Sequence, residues 1–108
     1  MDNAGRIREL NDAFRRSFVG GRIMLTVGVS GLPAADQSVL LLRVRQFDRF
    51  DTDNDPHGEH DFLALEHAGE RYFAKIDYYD PDMQHGSEEP EDPAKTVRVL
   101  TVMRADEY

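Results

Sequence analysis

The chain has 108 residues and a net charge of −8, with 40% apolar and 31% charged residues. This length suits one hydrophobic core, so we predict a single α+β domain over residues 1–108. The absence of cysteine excludes disulfides, thiolate catalysis and cysteine zinc sites, and it suits a reducing cytoplasm. No apolar run approaches the roughly 20 residues of a membrane span, and no signal peptide is visible. We therefore expect a cytoplasmic protein that does not bind membranes.

Helical and extended patterns alternate in the first half of the chain. Apolar residues recur at spacings of three and four, which predicts a helix over residues 3–19 with Asn3 as its N-cap. Residues 22–29 are rich in β-branched side chains and predict a buried strand. Pro33 suits the start of a second helix, which extends to residue 47 or 50. The wide apolar face of this helix predicts packing against a sheet.

Strand patterns dominate the second half of the chain. Apolar runs at 62–65 and 72–76 flank a short polar connection that contains Gly69, which predicts a hairpin, and residues 96–103 read as a last strand. The order α-β-α-β-β-β predicts an α+β fold, with an antiparallel-dominated sheet of about four strands and two helices packed on one face. The residues that we expect in the core are Phe14, Phe18, Leu25, Val27, Leu42 and Val99.

Acidic residues are confined to the middle of the chain. Residues 48–92 hold fifteen acids against three bases, a net charge of −12, whereas residues 1–47 carry +3 and residues 93–108 carry +1. Most of these acids fall in two predicted loops, 48–61 and 80–92. A phosphate backbone would be repelled there, so we expect no direct nucleic-acid binding. We interpret the arginines near the start as a solvated helix face or as partners for the protein's own acids.

The first acidic loop concentrates the most potential chemistry, because residues 51–61 hold five carboxylates and two imidazoles. The EF-hand pattern fails there, since Pro56 and Phe62 stand where that motif needs glycine and glutamate. Imidazole and carboxylate together suit a divalent metal such as zinc or manganese. An alternative to a metal site is a structural turn, in which Asp55 accepts hydrogen bonds from backbone amides and the histidines form hydrogen bonds with nearby carboxylates. The candidate metal ligands are His57, His60, Asp61 and Asp77.

Four segments, residues 11–15, 54–62, 75–80 and 99–108, resemble a family of domains of unknown function. The most specific segment, 54–62, reads Asn-Asp-Pro-His-Gly-Glu-His-Asp-Phe. The resemblance covers nearly the whole chain. It implies a small bacterial protein of the kind found in alphaproteobacteria and on their plasmids and integrated elements. It implies no activity and identifies no catalytic residue.

Two classes of function are compatible with these patterns. The favoured one is a small acidic, non-enzymatic binding protein without a cofactor, which occupies the basic, nucleic-acid-binding face of a protein partner. A mobile-element inhibitor of the anti-CRISPR or anti-restriction type acts in this way by acidic-surface mimicry, and fifteen acids exceed what a metal site needs. The alternative is a divalent-metal-dependent or acid–base hydrolase at the candidate ligands named above. The expected partner-binding residues are Asp51, Asp53, Asp55, Glu59, Glu88, Glu89, Glu91 and Asp92.

Overall fold

The computed structural model describes residues 2–108 and contains a four-stranded mixed sheet with helices on one of its faces. This arrangement confirms the predicted α+β class. Two short 3₁₀ turns, at Pro93–Lys95 and Ala105–Glu107, flank the last strand. In chain order the helices and strands are α1 (Asn3–Ser17), β1 (Gly21–Leu25), α2 (Val27–Ser30), α3 (Ala34–Gln46), β2 (Phe62–His67), β3 (Glu70–Tyr79) and β4 (Val97–Arg104).

The sheet has the strand order β1-β4-β3-β2, so the fourth strand lies beside the first. β1 and β4 are parallel, whereas β4 with β3 and β3 with β2 are antiparallel. The antiparallel-dominated sheet is therefore confirmed, with one parallel pair. As a consequence of these directions, β2 and β4 start at the end of the sheet where β3 finishes. The two loops rich in acids leave the sheet at that same end.

The core lies between the helices and one face of the sheet. Phe14 of α1 and both Leu40 and Val44 of α3 are buried against alternate strand residues such as Ile76 and Val102. Alternate residues of a strand point to the same face, so each strand contributes every second side chain to this core. Helices α1, α2 and α3 thus cover one face of the sheet, and no α-helix of residues 2–108 lies on the opposite face.

The strand predicted over residues 22–29 ends early. β1 stops at Leu25, and Val27–Ser30 form a single helical turn instead. This turn buries Val29 and leaves Val27 85% exposed, so the assignment of Val27 to the core was wrong. A run of β-branched residues does not show where a chain turns out of a sheet, because the turn depends on contacts with distant residues.

Helix α3 also differs from expectation in the face that it buries. Leu40 and Val44, one helical turn apart, form the buried stripe. Leu42 points away from this stripe and is 48% exposed, so its assignment to the core was wrong. The other predicted core residues are buried or partly buried: Phe14, Val99, Phe18 and Leu25.

The remaining element boundaries agree closely with the sequence patterns, except for the residue that caps α1. The N-cap of α1 is Asp2 rather than Asn3, because the Asp2 carboxylate accepts the Gly5 amide at 2.7 Å. The hairpin of β2 and β3 has Gly69 in its turn with φ +81°, a conformation that glycine accepts without strain.

Candidate functional site

Two loops, residues 48–61 and 80–92, form what we call the acidic end of the sheet. Within residues 2–108, one ion pair joins an exposed acid of these loops to a lysine or arginine, namely Glu89 with Lys95 at 2.8 Å. The other exposed acids are left to face solvent, which concentrates negative potential at one end of the molecule. The exposed acids of the acidic end are Asp48, Asp51, Asp53, Asp82, Glu88 and Glu89.

His60 is held between two carboxylates. Its Nδ1 lies 2.9 Å from Asp12 Oδ1, and its Nε2 lies 3.5 Å from Asp55 Oδ2. Its ring stacks on Phe50 at a centroid distance of 3.9 Å. The backbone of His60 has φ +55°, which is uncommon outside glycine, and these contacts hold it there. Both ring nitrogens therefore face carboxylates of the protein itself.

Arg15 of α1 is 1% exposed and completes this cluster. It donates from Nη1 to Asp12 Oδ1 at 2.9 Å and from Nη2 to the Phe47 carbonyl at 3.1 Å. Burial alone would raise the pKa of Asp12, but the hydrogen bonds from His60 and Arg15 outweigh burial and hold that pKa below its usual value. The positive charge of the buried Arg15 is thus balanced by the Asp12 carboxylate, which stays ionised.

Asn11 connects α1 with both acidic loops. Its Nδ2 donates to the Glu59 carbonyl at 2.9 Å and to the Tyr78 hydroxyl at 2.8 Å, and its Oδ1 accepts from Arg98 Nε at 2.7 Å. The Tyr78 hydroxyl donates to Glu59 Oε1 at 2.8 Å, and Arg98 donates to the Pro90 carbonyl. Burial raises the pKa of Tyr78 far above its ordinary value, so the hydroxyl keeps its proton. One buried amide side chain therefore ties loop 48–61 to loop 80–92.

A separate open cleft of about 380 Å³ lies beyond the first acidic loop. His57, Asp61 and Asp77 line it, together with Lys75 and Tyr108. Lys75 Nζ lies 3.1 Å from Asp77 Oδ2, and burial raises the pKa of Asp61. The cleft thus contains two carboxylates in different environments, one paired with a cation and one partly desolvated.

The structure does not bring the four predicted metal ligands together. His57, Asp61 and Asp77 share the cleft, whereas His60 points towards α1 and contacts Asp12 and Asp55. Residues 2–108 contain no group of three or more His, Cys, Asp or Glu side chains placed to hold a metal ion. The turn interpretation of this loop describes Asp55 and His60 better, since Asp55 Oδ1 accepts the His60 amide at 3.1 Å.

The eight predicted partner-binding acids fall into three groups. Asp55 is buried in the cluster, and Glu59 is partly buried with its carboxylate on Tyr78. Glu91 and Asp92 are partly buried. The exposed members are Asp51, Asp53, Glu88 and Glu89, of which Glu89 is paired with Lys95.

Sequence reasoning missed the helical half of the polar cluster. Asn11 and Arg15 are four residues apart and continue the buried stripe that Ile7 begins. A polar residue on the apolar stripe of a helix is the signal that would have found them, because such a residue must meet a partner inside the protein. The strand residues Tyr78 and Arg98 carry no comparable signal.

The fold and the site define a small α+β protein with a mixed sheet, an acidic end and a buried polar cluster that joins its loops. The model of a family described as a protein of unknown function (DUF3768) matches residues 25–107, and the chain belongs to this family. The match confirms the resemblance over residues 25–107 and begins after α1, so Asn11, Asp12 and Arg15 lie outside it. The partners Glu59, Tyr78 and Arg98 of Asn11 lie within it. No curated protein and no solved structure matches the chain significantly. Residues 2–108 include no helix that is both long enough and apolar enough to span a membrane.

Proposed function

We propose that this protein is a non-enzymatic binding protein whose acidic end occupies a basic, nucleic-acid-binding face of another protein. The observation that supports this proposal most is that both acidic loops leave the sheet at one end. These two loops carry six exposed acids. A concentration of like charge steers an oppositely charged partner into place and fixes its orientation.

The buried cluster supports the same proposal because it anchors the loops that display the acids. Asn11 and Arg98 link α1 and β4 to Glu59 in one loop and Pro90 in the other. Loops held in this way lose less conformational entropy on binding than free loops. Arg8 adds a further anchor, since its Nη1 donates to the Gly58 carbonyl at 2.9 Å.

An inhibitor of a restriction or CRISPR protein is the form of binder that fits this surface most closely. Such a protein competes with DNA or RNA for a basic groove, and distributed carboxylates reproduce the charge of a phosphate backbone. The partner in this proposal is a protein, not a nucleic acid.

A second candidate function is acid–base hydrolysis in the open cleft. The observation that favours it is the pair of carboxylates there, because burial raises the pKa of Asp61 while Lys75 pairs with Asp77. His57 lines the same cleft and supplies a polarising donor. His60 does not take part, since both of its ring nitrogens already contact carboxylates.

The test of the binding proposal compares two charge-matched variants. Asp53→Asn with Glu88→Gln removes one exposed acid from each acidic loop, whereas Glu9→Gln with Glu66→Gln removes two exposed acids elsewhere. Each protein is used to capture partners from bacterial lysate at low and high salt, and DNA is then added as competitor. We expect capture that DNA displaces, that salt weakens and that the loop variant loses more than the matched variant. A partner whose binding changes neither with salt nor in either variant would refute the binding proposal. Turnover of a hydrolysable substrate that depends on Asp61 would favour the second candidate function.

A further inference from the structure

Strand β1 has an open backbone edge. It pairs with β4 on one side, and no strand within residues 2–108 pairs with its other side. An open edge presents unpaired N–H and C=O groups that another extended segment can bind. The opposite edge of the sheet is less open, since the Arg43 side chain donates to the Glu66 carbonyl of β2.

A mainly apolar groove of about 470 Å³ runs beside this edge, on the face of the sheet opposite to the core. Met24, Val99 and Thr101 form its floor, and Tyr79 and Met83 close one side. Met24 pairs with Thr101 in register, so the two side chains lie on the same face. Met24 is 53% exposed, which leaves an apolar contact surface next to the open edge.

Arg22 is the charged residue at this groove. It is exposed, it lies two residues before Met24 and it points to the same face. Its guanidinium makes no hydrogen bond and no ion pair to any residue in the 2–108 part of the chain. In a protein of net charge −8, an arginine without a carboxylate beside an open strand edge provides the complement for an acid from outside.

We propose that β1 binds an extended segment of a partner protein as a fifth strand of the sheet. The added strand places an acidic side chain opposite Arg22 and, two positions away on the same face, an apolar side chain against Met24. Backbone hydrogen bonds to β1 supply affinity, and the acid–apolar spacing supplies selectivity. This docking edge does not depend on the proposed role of the acidic end.

A second copy of the chain fits the same edge less well. The sequence of β1, Gly-Arg-Ile-Met-Leu, contains no acid, so the β1 strand of another copy offers no carboxylate to Arg22. An antiparallel pairing of two β1 strands centred on Ile23 would instead place each Arg22 opposite a methionine. The charge at this edge therefore favours a different protein as the partner.

The test uses capped eight-residue peptides and the full-length chain labelled for NMR. The first probe, Thr-Val-Thr-Glu-Thr-Val-Thr-Thr, has an apolar residue two positions from the acid on each side, so it matches Arg22 and Met24 in either strand direction. The second probe has lysine in place of glutamate. We expect the first probe to shift the amide signals of residues 21–25 and to bind about fivefold more tightly than the second. Arg22→Glu should reverse this preference, while Arg6→Glu, an equal charge change at an exposed position of α1, should leave it in place.

Three outcomes would overturn the proposal. One is equal binding of both probes to the unchanged protein. Another is the absence of any shift in residues 21–25 at millimolar peptide. The third is a shift of the same amides with protein concentration and no peptide present, which would assign the edge to a second copy.

Discussion

Phe50 lies flat against His60, with ring centroids 3.9 Å apart and ring planes only 8° from parallel. The contact joins the start of the first acidic loop to its end, and it covers one face of the imidazole. Asp12 and Asp55 meet the two ring nitrogens. Because one ring face and both ring nitrogens of His60 are already in contact with the protein, we infer that this histidine holds structural elements together and does not contact a substrate.

His60→Ala should therefore lower stability. The variant loses the stacked ring and leaves two carboxylates without their common partner, and we expect a loss of about 1–3 kcal/mol in the free energy of unfolding. Urea unfolding measures this change. His57→Ala is the matched control, because His57 is exposed, and its effect should stay within about 0.5 kcal/mol. Equal effects of the two substitutions would show that the cluster does not hold the loop.

Asp12 should make stability depend on acid pH. Its pKa in the folded protein lies below the ordinary value of 3.8, so its contribution is complete above that value and is lost as pH falls through the lower, folded-state pKa. Asp12→Asn removes the contribution, and the variant should be less stable than the parent at neutral pH, with a smaller difference in strong acid. Unfolding free energies measured between about pH 2 and pH 7 test this sign.

Asp61 should affect the pH dependence of stability in the opposite sense to Asp12. Burial raises its pKa in the folded protein, so the ionised carboxylate opposes folding at neutral pH and this penalty disappears once the group is protonated. Asp61→Asn should therefore be neutral or stabilising at pH 7, with the difference shrinking as pH falls. A destabilised variant at neutral pH would mean that its carboxylate makes an essential contact in the cleft.

Asn11→Leu should be among the most damaging substitutions in the polar cluster. Asn11 is fully buried, and the change leaves Arg98 Nε and the Glu59 carbonyl without a partner. We expect a loss of about 2–4 kcal/mol in the free energy of unfolding. Tyr78→Phe removes one hydroxyl and should cost about 1 kcal/mol. Faster amide exchange in both acidic loops of the Asn11 variant would confirm that this side chain joins them.

The two helices offer a matched test of the core. Phe14→Ala should cost about 3–5 kcal/mol because the ring is buried, whereas Leu42→Ala should cost less than about 1 kcal/mol because that side chain is half exposed. Thermal or urea unfolding separates the two. Similar losses of unfolding free energy in the two variants would show that Leu42 is buried in solution, in a contact that a single copy of the chain does not make.

Much of the fold could be predicted because its elements follow local periodicity. The stripe through Phe14 identifies α1, and the alternation in residues 62–76 identifies the hairpin. The parallel pairing of β1 with β4 could not be predicted, since Gly21 and Arg98 are paired across most of the chain and no local pattern records that contact. The same limitation affected Val27, whose position depends on where β1 leaves the sheet.

The sequence identifies the acidic loops but not the contacts that their side chains make. Composition alone finds the acidic loops, because charge is visible residue by residue. The separation of His57 from His60 depends on the backbone between them, where Gly58 and His60 both have positive φ and turn the two imidazoles to different sides. Spacing in a loop does not determine such a turn, since it is fixed by contacts with α1 and Phe50.

One of the two interior strands of the sheet, β4, is synthesised after the other three strands. β4 lies between β1 and β3, so neither of these has its full set of neighbours until β4 has left the ribosome. Before that moment the nascent chain contains only one hairpin, which by itself is marginally stable in water. Joining β1 to β4 also closes a loop of more than seventy residues, a step that slows folding. The sheet is therefore completed only once its last strand in chain order is available, and the other strands depend on that late closure for protection from aggregation.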